Sequence, residues 1–218
     1  MTVRAVIAVR GGEGAKSRCG DLLDARGRDE LVLAMLTDMV AALSASRRID
    51  EIEVATPTAD LADAARAAGA SAWLEPRPRG VNAAFEAARA RLRAAVPDAV
   101  LAALPGDLPL IDAAELDTAF DLASRGKAVL APALADGGTG AVVVQASAPF
   151  AFHFGRDSFR RHWAGALRAG LHPVRLDAPS LGFDIDRPED LAALERRGAG
   201  GLTARVLARR LSPAEAAP

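Results

Sequence analysis

Tyrosine is absent from this 218-residue chain, cysteine occurs once, and aromatic residues make up only 4% of it. One cysteine, Cys19, excludes any disulfide within the chain and predicts a reducing compartment. Long apolar runs are missing too. The first, Ala5 to Val9, stops at Arg10 and two glycines. It is too short for a secretory core or a membrane span, so a cytoplasmic protein with no membrane partner is expected. A net charge of −1 excludes a broadly basic surface and predicts no nucleic-acid partner, while leaving room for a local cationic pocket. Histidine occurs three times. His153 and His172 join no constellation, no Ser-His-Asp or Cys-His set has a supporting context, and Cys19 has no base near it in the sequence.

What is present is a soluble composition, half hydrophobic and a quarter charged. The length predicts one domain over residues 1–210, with 211–218 as a disordered tail. Short β-branched runs such as "VRAVIAV", "EIEVAT", "KAVLAPAL" and "AVVVQ" predict strands. Helical spacing predicts helices over Asp29 to Ser46, "ADLADAARAAG", "VNAAFEAARARLRAA", "DAAELDTAFDLAS", "DSFRRHWAGALRAG" and "RPEDLAALERR". The alternation implies an α/β fold, an open, mostly parallel sheet with helices on both faces. Ligands bind outside the carboxyl ends of such strands, which directs attention to the loops after Val9, Leu104 and Ile185.

The first loop, "GGEGAKSR", is glycine-rich and basic. A Walker A loop would need glycine at Ala15 and Arg10, and a dinucleotide fingerprint would need one at Ser17. There remains a cradle in which backbone N–H groups around Gly12 and Gly14 face phosphate oxygens, with Lys16 and Arg18 adding charge. A solvated turn is the competing interpretation.

The other two loops are acidic. "LPGDLPL" holds Asp107 between two prolines that stiffen the loop. In "FDID", Asp184 and Asp186 leave an extended chain on one face, where paired carboxylates repel unless a cation lies between them. Asp186 could instead form a capping box with Glu189. A divalent ion shared by Asp107, Asp184 and Asp186 accounts for all three, and magnesium suits carboxylates plus phosphates. "DGGTG" and "FGRDSF" offer further N–H groups and hydroxyls, so Thr139, Gly155 and Ser158 could hold an anion, with Asp157 or Ser158 capping the next helix. His162, four residues after Ser158, lies on the same helix face and either lines that pocket or is a core histidine.

These pieces, in this order, resemble the guanylyltransferases of deazaflavin coenzyme (coenzyme F-420) biosynthesis. "GAKSR", "GDLPL", "GGTG", "FGRDSFRRH" and "GFDIDRPEDL" carry the likeness, which runs from about Val3 to Leu194. The resemblance implies a nucleotide-diphospho-sugar-transferase-like fold, a homodimer, and transfer of GMP from GTP to 2-phospholactate, phosphoenolpyruvate or 3-phosphoglycerate. By motif, Lys16 and Arg18 would meet the triphosphate, with Asn82 near the nucleotide. Asp107, Asp184 and Asp186 would take Mg2+, and Thr139, Gly155 and Ser158 the acceptor. The chain departs from the family pattern at Arg10, where lysine is usual, and at Gly140, where asparagine is usual. The residues alone leave open another nucleotidyltransferase using CTP or a sugar phosphate, a glycosyltransferase, or a non-catalytic nucleotide-binding protein.

Overall fold

The structure, a computed structural model, describes residues 1–12, 15–75, 77–198 and 200–211. Seven strands form one sheet: β1 (Val3–Ala8), β2 (Glu51–Thr56), β3 (Ser71–Leu74), β4 (Val100–Pro105), β5 (Lys127–Pro132), β6 (Thr139–Gln145) and β7 (His172–Arg175). Their spatial order is β3-β2-β1-β4-β6-β5-β7. The sheet is mostly parallel, as expected; β6 runs antiparallel to both its neighbours, β4 and β5. The link from β5 to β6 is too short for a crossover helix, so the chain must turn straight back.

Alternation along each central strand feeds two cores. Val3, Ala5 and Ile7 of β1 face one core with Val100, Ala102 and Leu104 of β4, while Val6, Leu101 and Ala103 face the other. The first core is roofed by α1 (Ala25–Ser44), α2 (Ala59–Ala67), α4 (Asp117–Ser124), α6 (Pro188–Arg196) and α7 (Gly201–Leu211). The second is covered by α3 (Val81–Ala95) and α5 (Ser158–Arg168), with Phe85, Phe150, Phe152 and Phe154 packed together beneath them. Helices therefore cover both faces.

Several boundaries differ from the sequence reading. Helix α1 begins at Ala25, not Asp29, because the Asp24 carboxylate accepts the Gly27 N–H at 2.6 Å and caps it there. Thr139 and Gly140 open strand β6 rather than ending a loop. Ile185 lies on an unpaired stretch outside the sheet and is not a strand end. Leu211, assigned to the tail, closes α7; the rest of that segment, 212–218, lies outside the described residues.

Candidate functional site

The carboxyl ends of β1, β4 and β5 and the start of β6 meet along one edge, because β6 runs backwards among them. A cleft of about 1050 Å³ opens there. Ala8 to Arg10, Pro105 to Asp107 and Gly138 to Gly140 form its floor, with Lys16, Arg18, Gly155, Asp184 and Asp186 on its walls.

Close backbone approaches set this floor. The Gly106 N–H donates to the Ala8 carbonyl at 3.0 Å, and a Cβ on Gly106 would lie 2.5 Å from that of Val9. Only glycine lets the β4 loop cross the end of β1 so closely. Asp107 is delivered at the crossing. The Ile185 N–H then donates to the Asp107 carbonyl at 3.2 Å, drawing the "FDID" segment alongside. The capping expected of Asp186 with Glu189 is corrected: Asp190 accepts the N–H groups of Asp186 (2.9 Å) and Arg187 (2.7 Å). Asp186 contributes only its N–H to that cap, and its carboxylate is free to face the cleft.

As a result Asp107, Asp184 and Asp186 bring ligand oxygens within 4.8 Å of one another. Burial first, and then the charge of Asp107, push the Asp184 carboxyl up to about 6; Asp186 adds to the rise, while a backbone hydrogen bond and Lys16 oppose it. Lys16 belongs to this cluster. Its ammonium lies inside it, 2.7 Å from Asp107 and 3.5 Å from Asp186, and it also donates to the Ile185 carbonyl. Burial disfavours the Lys16 charge, but Asp107, Asp186 and Asp184 outweigh that and raise its pKa. The residue sits in left-handed backbone (φ 50°), a conformation uncommon outside glycine, which turns its side chain into the cleft. Arg18, two-thirds exposed, approaches Asp186 at 3.3 Å.

Even with one ammonium, three crowded carboxylates keep surplus negative charge, and an all-oxygen donor set of this kind fits a hard divalent cation such as Mg2+. Cys19 is buried, and burial pushes its thiol up, so it offers no nucleophile.

At the opposite end of the cleft the groups singled out in the sequence are engaged as follows. Several N–H groups of the two glycine-bearing loops are engaged within the protein: Gly138 donates to the Asp136 carboxylate at 2.7 Å, Ser158 to the Gly155 carbonyl at 3.1 Å, and Phe159 to the Gly137 carbonyl at 3.1 Å. Neither Asp157 nor Ser158 caps α5 with its side chain. The Ser158 hydroxyl, fully buried, is drawn instead to Thr139 at 2.9 Å, so it reaches the cleft only through Thr139. Asn82 is off the cleft wall, both ends of its amide being engaged by the Phe154 backbone: its Oδ1 accepts the Phe154 N–H at 2.6 Å and its Nδ2 donates to the Phe154 carbonyl at 3.2 Å. It holds the chain that presents Gly155. Thr139 and Gly155 do line the cleft. Gly12 is placed by its carbonyl, which accepts from Ala15 at 3.0 Å, and lies off the cleft wall; Gly14 is outside the described residues.

Sequence reasoning missed Arg10, Asp136, Arg187 and Asp190, which also line the cleft. The fourth was legible: in "DIDRPED" an acidic residue stands three places after Arg187, the position that caps a helix start. Arg10, directly after Val9, stands in a loop the strand-end rule singled out, whereas Asp136 and Arg187 carry no local signal.

The family model for "Guanylyl transferase CofC like" matches residues 3–212. A 3-phospho-D-glycerate guanylyltransferase of Phenylobacterium zucineum is 43% identical over 205 residues, covering 93% of this chain and 94% of that protein. A phosphoenolpyruvate guanylyltransferase of Rubrobacter xylanophilus is 40% identical over 199 residues, covering 91% and 96%. Among solved structures, a chain from Desulfovibrio desulfuricans described as a nucleotide-diphospho-sugar transferase superposes with a TM-score of 0.74 at 17% identity, over 96% of this chain and 95% of that one.

Proposed function

The chain belongs to the CofC-like guanylyl transferases, and from that premise we propose that it transfers GMP from GTP to the phosphate of a small phosphorylated acid. The acid is 3-phosphoglycerate, phosphoenolpyruvate or 2-phospholactate, and pyrophosphate is released. The observation that carries this reading is the gathering of Asp107, Asp184, Asp186 and Lys16 at one end of a cleft whose other end is walled by Thr139 and Gly155.

Mg2+ held by the three aspartates would supply charge neutralisation for the triphosphate. Lys16 and Arg18, on the same wall, would hold phosphate oxygens and stabilise the charge that builds on the leaving pyrophosphate. The acceptor's phosphate oxygen attacks the α-phosphorus of GTP as the bond to pyrophosphate breaks. That phosphate, with a second pKa near about 6, is already mostly dianionic at neutral pH, so no protein base has to remove a proton. Among the described residues that line the cleft there is no histidine. Catalysis then rests on placing two anions face to face. A homodimer working in the cytoplasm completes the proposal; among the described residues no helix is long and apolar enough to cross a membrane.

The test is a panel of GTP, CTP, ATP and UTP against the three acids and a sugar phosphate, read by pyrophosphate release with the product's mass. GTP-dependent release with one of the acids supports the proposal. Release with CTP and a sugar phosphate would favour the neighbouring chemistry, and GTP binding without turnover a non-catalytic role.

A further inference from the structure

His162 is fully buried, and both its ring nitrogens are engaged. Nε2 lies 2.7 Å from the backbone nitrogen of His153, and a backbone N–H can only donate. Nε2 is therefore an acceptor, and the ring's one proton is on Nδ1, 2.9 Å from the Thr139 hydroxyl oxygen. The imidazole donates there. On the other side of the same oxygen sits the Ser158 hydroxyl, also 2.9 Å away and with no exposure of its own. Were Thr139 to donate to Ser158, the Ser158 proton would be buried with no acceptor, which costs more than a hydrogen bond returns. With Ser158 donating to Thr139, every buried group is satisfied.

Thr139 thus receives two hydrogen bonds, which leaves its own proton for the one direction still open. That direction is the cleft, whose wall Thr139 forms.

We propose that His162 is a positioning residue that fixes the Thr139 hydroxyl as an outward hydrogen-bond donor, so that a ligand oxygen at this end of the cleft must act as the acceptor, a role that a carboxylate or phosphate oxygen fills most strongly. The inference rests on the functional reading above for the identity of that ligand, but not for the direction of the bonds. Burial, and then the neighbouring His153 and Arg161, hold the His162 pKa down to about 3, which keeps the ring neutral and the relay in one sense at working pH. Phe150, stacked at 5.5 Å, and Phe154, edge-on at 5.0 Å, lock the ring plane.

Two measurements test it. Nitrogen NMR of ¹⁵N-histidine-labelled, ligand-free protein should show His162 in the Nδ1–H form; an Nε2–H form, or a cation at neutral pH, overturns the proposal. The kinetic arm uses His162→Phe, which keeps ring and volume. The KM for the phosphorylated acid should rise roughly ten- to a hundredfold, as for one hydrogen bond to a charged group, with the KM for GTP unchanged. Thr139→Val should match that loss and Thr139→Ser should recover most of it, an arm that stands even where His162→Phe does not fold. Equal losses toward both substrates, or Thr139→Val behaving like wild type, overturn the proposal. Absence of turnover with every acid would defeat the functional reading alone, because the tautomer is read without any ligand.

Discussion

The backbone of Ile185 is shared between Asp107 and Lys16: its N–H donates to the Asp107 carbonyl at 3.2 Å, and its own carbonyl accepts from the Lys16 ammonium. A single residue thus ties together the three loops that supply the acidic cluster and its internal counter-charge. The carboxylates are held together by main chain, before any ligand arrives, and their mutual repulsion is carried by the fold.

Removing one of those charges should separate function from stability. A carboxyl raised from 3.8 to about 6 costs the folded protein stability above pH 6 and ceases to cost it as the pH falls toward 3.8. Asp184→Asn should therefore lower turnover by on the order of 10²–10³ yet raise the stability of metal-free protein at pH 7.5. The full shift corresponds to about 3 kcal/mol, and partial solvent access reduces that to about 1–2 kcal/mol. Pyrophosphate release and thermal melts in EDTA check the two halves; wild-type turnover would remove Asp184 from the site.

Lys16→Ala should do the reverse to stability. Without the ammonium, three carboxylates remain with Arg18 as their nearest cation, so the metal-free protein should melt lower than wild type. Added Mg2+ should then raise the melting temperature of the variant by more than it raises that of wild type, since an ion binding only the folded state stabilises it. GTP turnover should fall by on the order of 10²–10³. Equal Mg2+ shifts in the two proteins would mean the ion does not enter this cluster.

Much of the sheet and most helices were legible because strand and helix periods were clean and glycines marked the turns. Failures came where a distant side chain decides. Helix α7 has little local start signal; its first N–H groups, at Leu202 and Thr203, are capped by Asp38 of α1 at 2.9 and 2.8 Å. Likewise, "GAKSR" announces a cation but not that it lies among carboxylates contributed by two other loops, and "FGRDSF" announces a cap serine but not that Thr139 claims its hydroxyl. Composition showed where charge was available; only packing showed which partner took it.

Gly140 marks a close crossing that no side chain fits. A Cβ there would fall on the Leu181 carbonyl, where the segment leading to Asp184 passes over the start of β6. Gly140→Ala, and equally Gly140→Asn, should destabilise the protein by roughly 1–3 kcal/mol or more, as overpacking does, and should reduce turnover by moving Thr139 and Asp184 together. Gly200→Ala, with open space around it, should stay within about 0.5 kcal/mol of wild type. Urea titrations and pyrophosphate release compare the three; a Gly140→Ala protein as stable and active as wild type would show that the Leu181 segment moves freely.

Acid should separate two groups, one buried and one half-buried, with opposite slopes. His162 is held down to about 3 from 6.5, so below pH 6.5 the unfolded chain takes up a proton that the folded one refuses, and stability falls with the pH. By pH 4.5 that loss is about 3 kcal/mol before any discount. Asp184 works the other way, since between 6 and 3.8 the folded protein binds the extra proton and gains. In wild type the gain offsets only part of the loss. Asp184→Asn, which removes the gain, should lose more stability than wild type between pH 7 and 4.5, whereas His162→Phe, which removes the loss, should lose less. Hydrogen bonds missing from His162→Phe lower its curve as a whole without changing its slope. Urea unfolding at four or five pH values measures all three slopes, and parallel lines would show that neither group titrates where its burial and neighbours place it.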